Sequence, residues 1–501
     1  MCIVILPSIT PAQEWVARYN GSGNGADVAT AIAVDNGGNI YVTGHSDTSD
    51  TGADYATVKY DALGVEQWVA QYEGPDFGWD RAYAIALDAA GNIYVTGYSV
   101  GSGTDYDYAT VKYDSSGMEQ WVARYNGPVN GGDCAAAIAV DNAGNICVTG
   151  YSVGSGTDYD YATVKYDSSG MEQWVARYNG PVNGGDRAAA IAVDNAGNIY
   201  VTGLSWGSST YFDYATVKYD SSGIEQWVAR YNGRGNYDDW AYAIALDAAG
   251  NIYVTGYSYG SGTGADYATV KYDSSGIEQW VARYNGPGDY DAAAKAITLD
   301  AAGNIYITGL SWTSVSYDYA TVKYDASGVE QWVARYNGPV NGRDAANAIA
   351  LDAAGNIYVT GYSDGSGPQI DYATVKYDSS GIEQWVARYN GPGNDWDGAT
   401  AIALDAAGNI YVTGYSVGSG TDYDYATIKY SPIGIEENTS AAKKENVIYT
   451  TIFRGPMQLP AGKKCVVFDI TGRVVEPNKI QPGIYFIEIN GVMTQKVVKV
   501  R

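Results

Sequence analysis

The chain runs to 501 residues, enough for one large domain and one small one. Its net charge of −26 repels phosphate backbones and anionic headgroups, which argues against a nucleic-acid partner and against docking on an anionic membrane. No run of about 18 apolar residues occurs, so no membrane-spanning helix is predicted.

Residues 1–12, MCIVILPSITPA, are apolar and end in Thr10-Pro11-Ala12, small residues of the kind found before a signal-peptidase cut. Lacking a basic start, they read either as a truncated signal peptide or as a disordered start. From residue 13 a repeat takes over. The segment EQWVARYNG or a close variant recurs with its Trp at 15, 68, 121, 174, 227, 280, 332 and 385. Between these lie AIAVD, GNIYVTG and DYATVKYD or near copies, eight times each. All four runs are rich in Val, Ile, Tyr, Thr and Trp and are separated by Gly, Asp, Asn and Ser, which are strand and turn signals with no helical period. Four antiparallel strands per unit of about 50 residues predict the blade of a β-propeller. We name them A (AIAVD), B (NIYVTG), C (DYATVKY) and D (WVARYNG). Small residues in A suit the crowded axis.

The repeat begins with a lone D strand at Trp15 and ends with A, B and C, so the first strand is expected to complete the last blade and remove its open edge. The predicted fold is therefore all-β: a closed eight-bladed propeller over 13–435. Residues 436–446 read as a polar linker, and 447–501 as a small β-sandwich of antiparallel hairpins, one turning at Asn490-Gly491. The charge changes there too. Residues 436–501 hold ten Lys/Arg against six Asp/Glu. The cysteines Cys2, Cys134, Cys147 and Cys465 form no metal or CxxC spacing, and Cys134 and Cys147 are expected free.

The pattern W…YxG…D…AxAVDxxGNxYVTG over residues 13–430 resembles the bacterial β-propeller repeat (SBBP-type) family, which carries no shared catalytic residues. Over VFDITGRVV (467–475), PGIYFIEI (482–489) and TQKVVKVR (494–501), the tail is similar to the C-terminal sorting domains of type IX (Por) secretion cargo. That resemblance implies contact with the export machinery and an extracellular or outer-surface location. A structural cap or an uncleaved adhesion module stays open.

Eight internal copies separate residues that serve the blade from residues that serve a site. The Asp ending each A strand (Asp35 to Asp405) precedes a Gly-Asn pair and predicts turn chemistry. The strand-D tryptophans and strand-C lysines are expected to pack between blades and to pair charges. A second ring, Asp27, Asp80, Asp133, Asp186, Asp239, Asp344 and Asp397, with Asp291 shifted in blade 6, is expected at the channel mouth. It reads as caps for the inner strands, with an acidic cation-binding mouth as the sharper alternative. No cofactor or metal is otherwise predicted. His45, the only histidine, is expected exposed on a B–C loop. Asp105/Asp107 and Asp395/Asp397 could form glycosidase pairs, but similar pairs recur in several blades.

Variation concentrates in the D–A and B–C connections, which leave one side of the disc, whereas the A–B and C–D turns scarcely vary. Trp79, Trp240 and Trp396 fall on D–A connections and Trp206 and Trp312 on B–C connections; Tyr106, Tyr159, Tyr211, Tyr259, Tyr290 and Tyr423 join them. Exposed aromatics beside acceptor side chains suit sugar stacking or a protein epitope. The expected function is a monomeric, non-enzymatic binding scaffold for an extracellular glycan or protein. A structural surface-layer or adhesion protein and a carbohydrate-active enzyme are the rivals.

Overall fold

The computed structural model describes residues 9–10, 13–48, 52–156, 158–260, 264–365, 369–432, 435–436, 449–453, 465–469, 473–489 and 492–499. The chain divides into two compact units, Met1–Glu437 and Asn438–Arg501. Among the described residues every regular element is a strand except one 3-10 turn, Pro477–Lys479.

The first unit is the eight-bladed propeller. Blade 1 runs Asp27–Val34 (A), Ile40–Thr48 (B), Gly52–Tyr60 (C) and Glu66–Tyr72 (D). Blades 2 to 8 begin with A strands Arg81–Leu87, Asp133–Val140, Asp186–Val193, Asp239–Leu246, Ala292–Leu299, Asp344–Leu351 and Asp397–Leu404. In each blade the order is A-B-C-D, and every pair is antiparallel. Gln13–Tyr19 supplies the D strand of blade 8, with Val16 opposite Ile428. The A strands touch one another in turn and the last meets the first, so they surround the axis. Ile9–Thr10 pairs with Ile435–Glu436 and adds a second tie between the ends of the ring. This corrects the disordered start at residues 9–10 and places Glu436 in a strand; residues 1–8, 11–12 and 437–448 lie outside the described residues.

The core is built between blades. Tyr41, Tyr55 and Tyr72 of blade 1 pack with Ile93, Val95, Val111 and Tyr113 of blade 2 in one buried cluster, and the pattern recurs around the ring. The Tyr55 hydroxyl donates to the Ala109 carbonyl of the next blade at 3.1 Å. Inside each blade a buried Thr pair, such as Thr43 and Thr57 at 2.9 Å, satisfies its own hydroxyls. Seven of the strand-D tryptophans are wedged under the C–D turn of the following blade: Trp68 Nε1 donates to Ser115 O at 3.2 Å. Gly117 covers that ring with a φ of 86°, and a Cβ there would lie 2.6 Å from Trp68, so glycine is required twice over.

The strand-C lysines depart from the expected charge pairing. Lys59 donates to the Ser115 carbonyl at 3.0 Å and lies 5.2 Å from the Tyr41 ring centroid, and Lys112, Lys218, Lys271, Lys323, Lys376 and Lys429 do likewise. Among the described residues only two ion pairs involve them, Lys165–Asp141 and Lys429–Glu14. The first has a local cause. Cys147 replaces the Tyr whose hydroxyl elsewhere binds the turn Asp, as Tyr94 binds Asp88 at 2.9 Å, and Lys165 takes over at 3.0 Å. Cys134, Cys147 and Cys465 are free.

In the second unit, Tyr449–Phe453, Val492–Lys499, Gly483–Ile489 and Cys465–Asp469 form one four-stranded sheet in that order. Tyr449–Phe453 pairs parallel with Val492–Lys499, and the other pairings are antiparallel. Where the sequence predicted an antiparallel sandwich, the described residues form a single mixed sheet, whose Val467, Tyr485 and Ile487 make a buried cluster with Ile480. Asn490 and Gly491 lie outside the described residues.

Candidate functional site

The two ends of the propeller differ in chemistry. At the A–B end, Asp35 Oδ1 accepts the backbone N–H groups of Gly37 and Asn39, while Oδ2 accepts the Asn39 amide and the Tyr41 hydroxyl. Burial works to raise this carboxyl, but the hydrogen bonds outweigh it and hold the pKa below the ordinary range; the equivalents behave alike. The C–D turns repeat the device with Asp61, Asp114 and their counterparts. They also present exposed aliphatic side chains, such as Met118 and Ile224.

The second Asp ring is not an open channel mouth. All seven residues are fully buried. Asp80 Oδ2 accepts the Gly74 N–H at 2.6 Å and Oδ1 the Val100 N–H at 2.9 Å, tying the start of strand A to the preceding loop and to the end of strand B. The bond to the preceding Gly recurs at Asp27, Asp133, Asp186, Asp239, Asp344 and Asp397. Burial pushes these carboxyls up, to about 6 at Asp27, Asp239 and Asp344. One oxygen of each accepts a backbone N–H and the carboxyls are buried, so the ring serves as caps for the inner strands. In blade 6, Ala292 takes the capping position, and exposed Asp291 instead accepts the Ala265 N–H at 2.9 Å.

The proposed carboxylate pairs are divided in the same way. Asp107 is held by Arg124 at 3.0 Å and Asp397 by the Gly391 N–H at 2.6 Å, so one member of each pair belongs to the scaffold. His45 lies within strand B of blade 1 and is buried, contrary to the expected exposed loop. Burial, then the charge of Arg81, pushes its pKa down to about 4, which keeps it neutral.

The opposite end carries the diversity. Trp79, Trp312 and Trp396 are 47%, 41% and 41% exposed. Trp206 ends strand B of blade 4, and Trp240 lies inside strand A of blade 5 rather than on a connection. Both are half-buried in an aromatic cluster in which Phe212 sits 4.7 Å from Trp206 and 6.0 Å from Trp240. Tyr106, Tyr211 and Tyr290 are exposed; Tyr159 is less so and meets Tyr151 edge-on at 4.9 Å. Two concave clefts result. One of about 490 Å³ is lined by Asp395, Trp396, Val417, Thr421, Asp422 and Tyr423. The other, of about 420 Å³, is lined by Tyr211, Tyr237, Asp238 and Tyr259, with Tyr211 and Tyr237 stacked at 6.1 Å.

The sequence reading missed the cations of this end. Arg81 lies over Trp79 (4.5 Å to the centroid), Arg187 over Tyr151 and Tyr159 (5.0 and 4.7 Å), Lys295 over Tyr242 (4.0 Å) and Arg343 over Trp396 (5.2 Å). The available signal was their departure from the repeat on or beside strand A, a segment read only as an inner strand.

Four segments, residues 14–50, 173–209, 226–262 and 331–368, match the beta-propeller repeat family SBBP, which supports the resemblance carried by the repeat. The chain is 24% identical over 375 residues to the uncharacterized WD repeat-containing protein L264 of Acanthamoeba polyphaga mimivirus, covering 61% of this chain and 26% of that protein. It is 25% identical over 334 residues to the regulatory protein FlaEY of Caulobacter vibrioides, covering 63% and 32%. The aligned regions thus span about a quarter to a third of those relatives. Among solved structures, polysaccharide lyase Uly1 aligns over 70% of this chain and 89% of its own at 14% identity, with a TM-score of 0.43.

Proposed function

We propose that this protein is a binding scaffold held outside the cell, which takes up a glycan polymer or a partner protein on its D–A/B–C face. The observation that carries this is the asymmetry of the two ends. At one end the turn aspartates and the strand-C lysines are spent on the scaffold itself; at the other, exposed Trp and Tyr side chains line two clefts beside carboxylates. Flat apolar rings next to hydrogen-bonding groups are what sugar faces and protein hot spots require. Catalysis is not part of the reading, since a carboxylate of each candidate pair is already used in the fold.

The test is a glycan and surface-protein array probed with the full chain and with the triple variant Trp79→Ala/Trp312→Ala/Trp396→Ala. Each lost aromatic contact removes about 0.5–1.5 kcal/mol beyond area burial, so the triple variant should lose at least tenfold in affinity with an unchanged melt. Equal capture by the variant overturns the proposal. The C-terminal unit serves in this reading as the export signal. Truncation after Gly434 should leave a folded propeller inside a host that has type IX machinery, and normal export of the truncated chain would refute that role.

A further inference from the structure

Residues 1–435 contain twenty Lys and Arg, and the repeat accounts for fifteen of them. The other five are Arg81, Arg187, Arg234, Lys295 and Arg343. Four of these sit on aromatic rings at the variable end, and Arg343 also pairs with Asp364 at 3.2 Å. Arg81, Arg187 and Lys295 take part in none of the ion pairs among the described residues.

All three stand on A strands, which surround the axis, in the half nearest the variable loops. They belong to blades 2, 4 and 6, alternate blades of the ring. Arg81 and Arg187 directly follow the capping Asp80 and Asp186, and Lys295 lies two register positions further along. The ring faces cover these cations and strip part of their water, which strengthens attraction to an incoming anion. Lys295 is well covered, and burial lowers its pKa.

The fold does not need them. Sister blades carry Val28, Ala293, Ala345 and Gly398 at the arginine position. At the lysine position they carry Thr30, Asn347 and Thr400, whose side chains bond inner-strand carbonyls of the next blade at 2.9, 2.8 and 2.8 Å. Neutral residues therefore solve the packing, and three unpaired cations in a chain of net charge −26 call for a partner from outside.

We infer that the axial rim of the variable face binds an acidic glycan, its carboxylate or sulfate groups pairing with Arg81, Arg187 and Lys295 while its sugar rings lie on the exposed aromatics of the same face. This rests on the binding-face reading and names its ligand class; the net charge of −26 opposes any polyanion at long range, so the pairing acts at contact, within about one Debye length (about 8–10 Å) of the three cations. The exposed aromatic rings beside these cations match pyranose faces, which an acidic peptide does not offer.

The experiment titrates the full chain by calorimetry with polygalacturonate, dextran sulfate, neutral dextran and polyglutamate. The variants Arg81→Val, Arg187→Ala and Lys295→Thr each introduce a residue that a sister blade carries, so the fold is preserved. The wild type should bind polygalacturonate or dextran sulfate, which distinguishes uronate from sulfate, and neither of the other two. Each single variant should weaken binding by about tenfold, as loss of a charge-assisted contact does, and the triple variant should abolish it without shifting the melt. Wild-type affinity in the triple variant, preference for dextran or polyglutamate, or binding to none of the four overturns the inference. A ligand lost by the Trp triple variant but retained by the cation triple variant would leave the binding face standing and remove only the acidic-glycan assignment.

Discussion

Blade 1 contains a natural lesion that can be repaired. In the other blades a strand-D arginine reaches three elements: Arg124 donates to the Tyr72 hydroxyl, to Ser99 Oγ and O, and to Asp107 at 3.0 Å. Blade 1 has Gln71 there, whose amide reaches the Tyr19 hydroxyl at 3.2 Å, and among the described residues Asp54 enters no ion pair. Burial, followed by the charges of Asp80 and Glu73, pushes the Asp54 pKa up to about 7. That rise is worth at most about 4 kcal/mol against the ionised form, and solvent reaching the carboxyl cuts this to about 1–3 kcal/mol. The folded pKa lies above the unfolded one, so the penalty is absent below pH 4, grows as pH rises, and is complete above about 7. Gln71→Arg should remove it. At roughly 2.1 cal/mol/K per residue, a ring of this size shifts its melting temperature by about 1 °C per kcal/mol, so calorimetry at pH 8 should show a gain of about 1–3 °C. At pH 5, where Asp54 is already protonated, the gain should fall to half or less. Equal gains at both pH values, or none at pH 8, would refute the assignment of the lesion to an unpaired carboxylate.

Three other outcomes follow from the same geometry. Deleting residues 1–21 strips blade 8 of its D strand and leaves Asp424 without Arg18, so the melting temperature should drop sharply; an unchanged melt would show that the ring closes another way. Trp227→Ala removes a ring wedged beneath Gly276 and should cost about 3–5 kcal/mol by urea denaturation, whereas a loss under 1 kcal/mol would mean that the blades do not depend on these wedges. Cys147→Tyr restores the hydroxyl for Asp141 and a ring partner for Trp174, and should add about 1–2 kcal/mol in the same assay. Destabilisation by this change would mean that blade 3 has closed over the missing ring.

The blade architecture was legible because the same four runs occur eight times, and a lone first strand D left only one partner for strand C of blade 8. The turn aspartates were legible for a similar reason: a side chain bonding its own turn is a local event that spacing reveals. What could not be read was coupling between blades. The strand-C lysines looked like charge partners because they are cations, yet their nearest acceptors are carbonyls of a turn more than fifty residues away. The Asp ring looked like an acidic mouth because sequence shows charge but not burial. His45 and Trp240 were assigned to connections because variable residues were equated with loops, although both sit in strands.

That last misreading bears on how a site can arise in a repeat of this kind. A loop can vary without cost to the blade, so variation there says little by itself. A strand position such as those of Arg81, Arg187 and Lys295 is flanked by fixed neighbours, and the sister blades show which small or neutral residues that position accepts. Departure from that set carries a desolvation cost that the scaffold does not recover internally, because these cations find rings rather than carboxylates. The informative residues in this molecule are therefore the strand positions where one blade breaks the pattern without repairing its own packing. By that criterion Cys147 and Gln71 are lesions, since Lys165 compensates for the first and the Gln71 amide keeps a contact to the Tyr19 hydroxyl in the second. The inner-strand cations meet the criterion for a site.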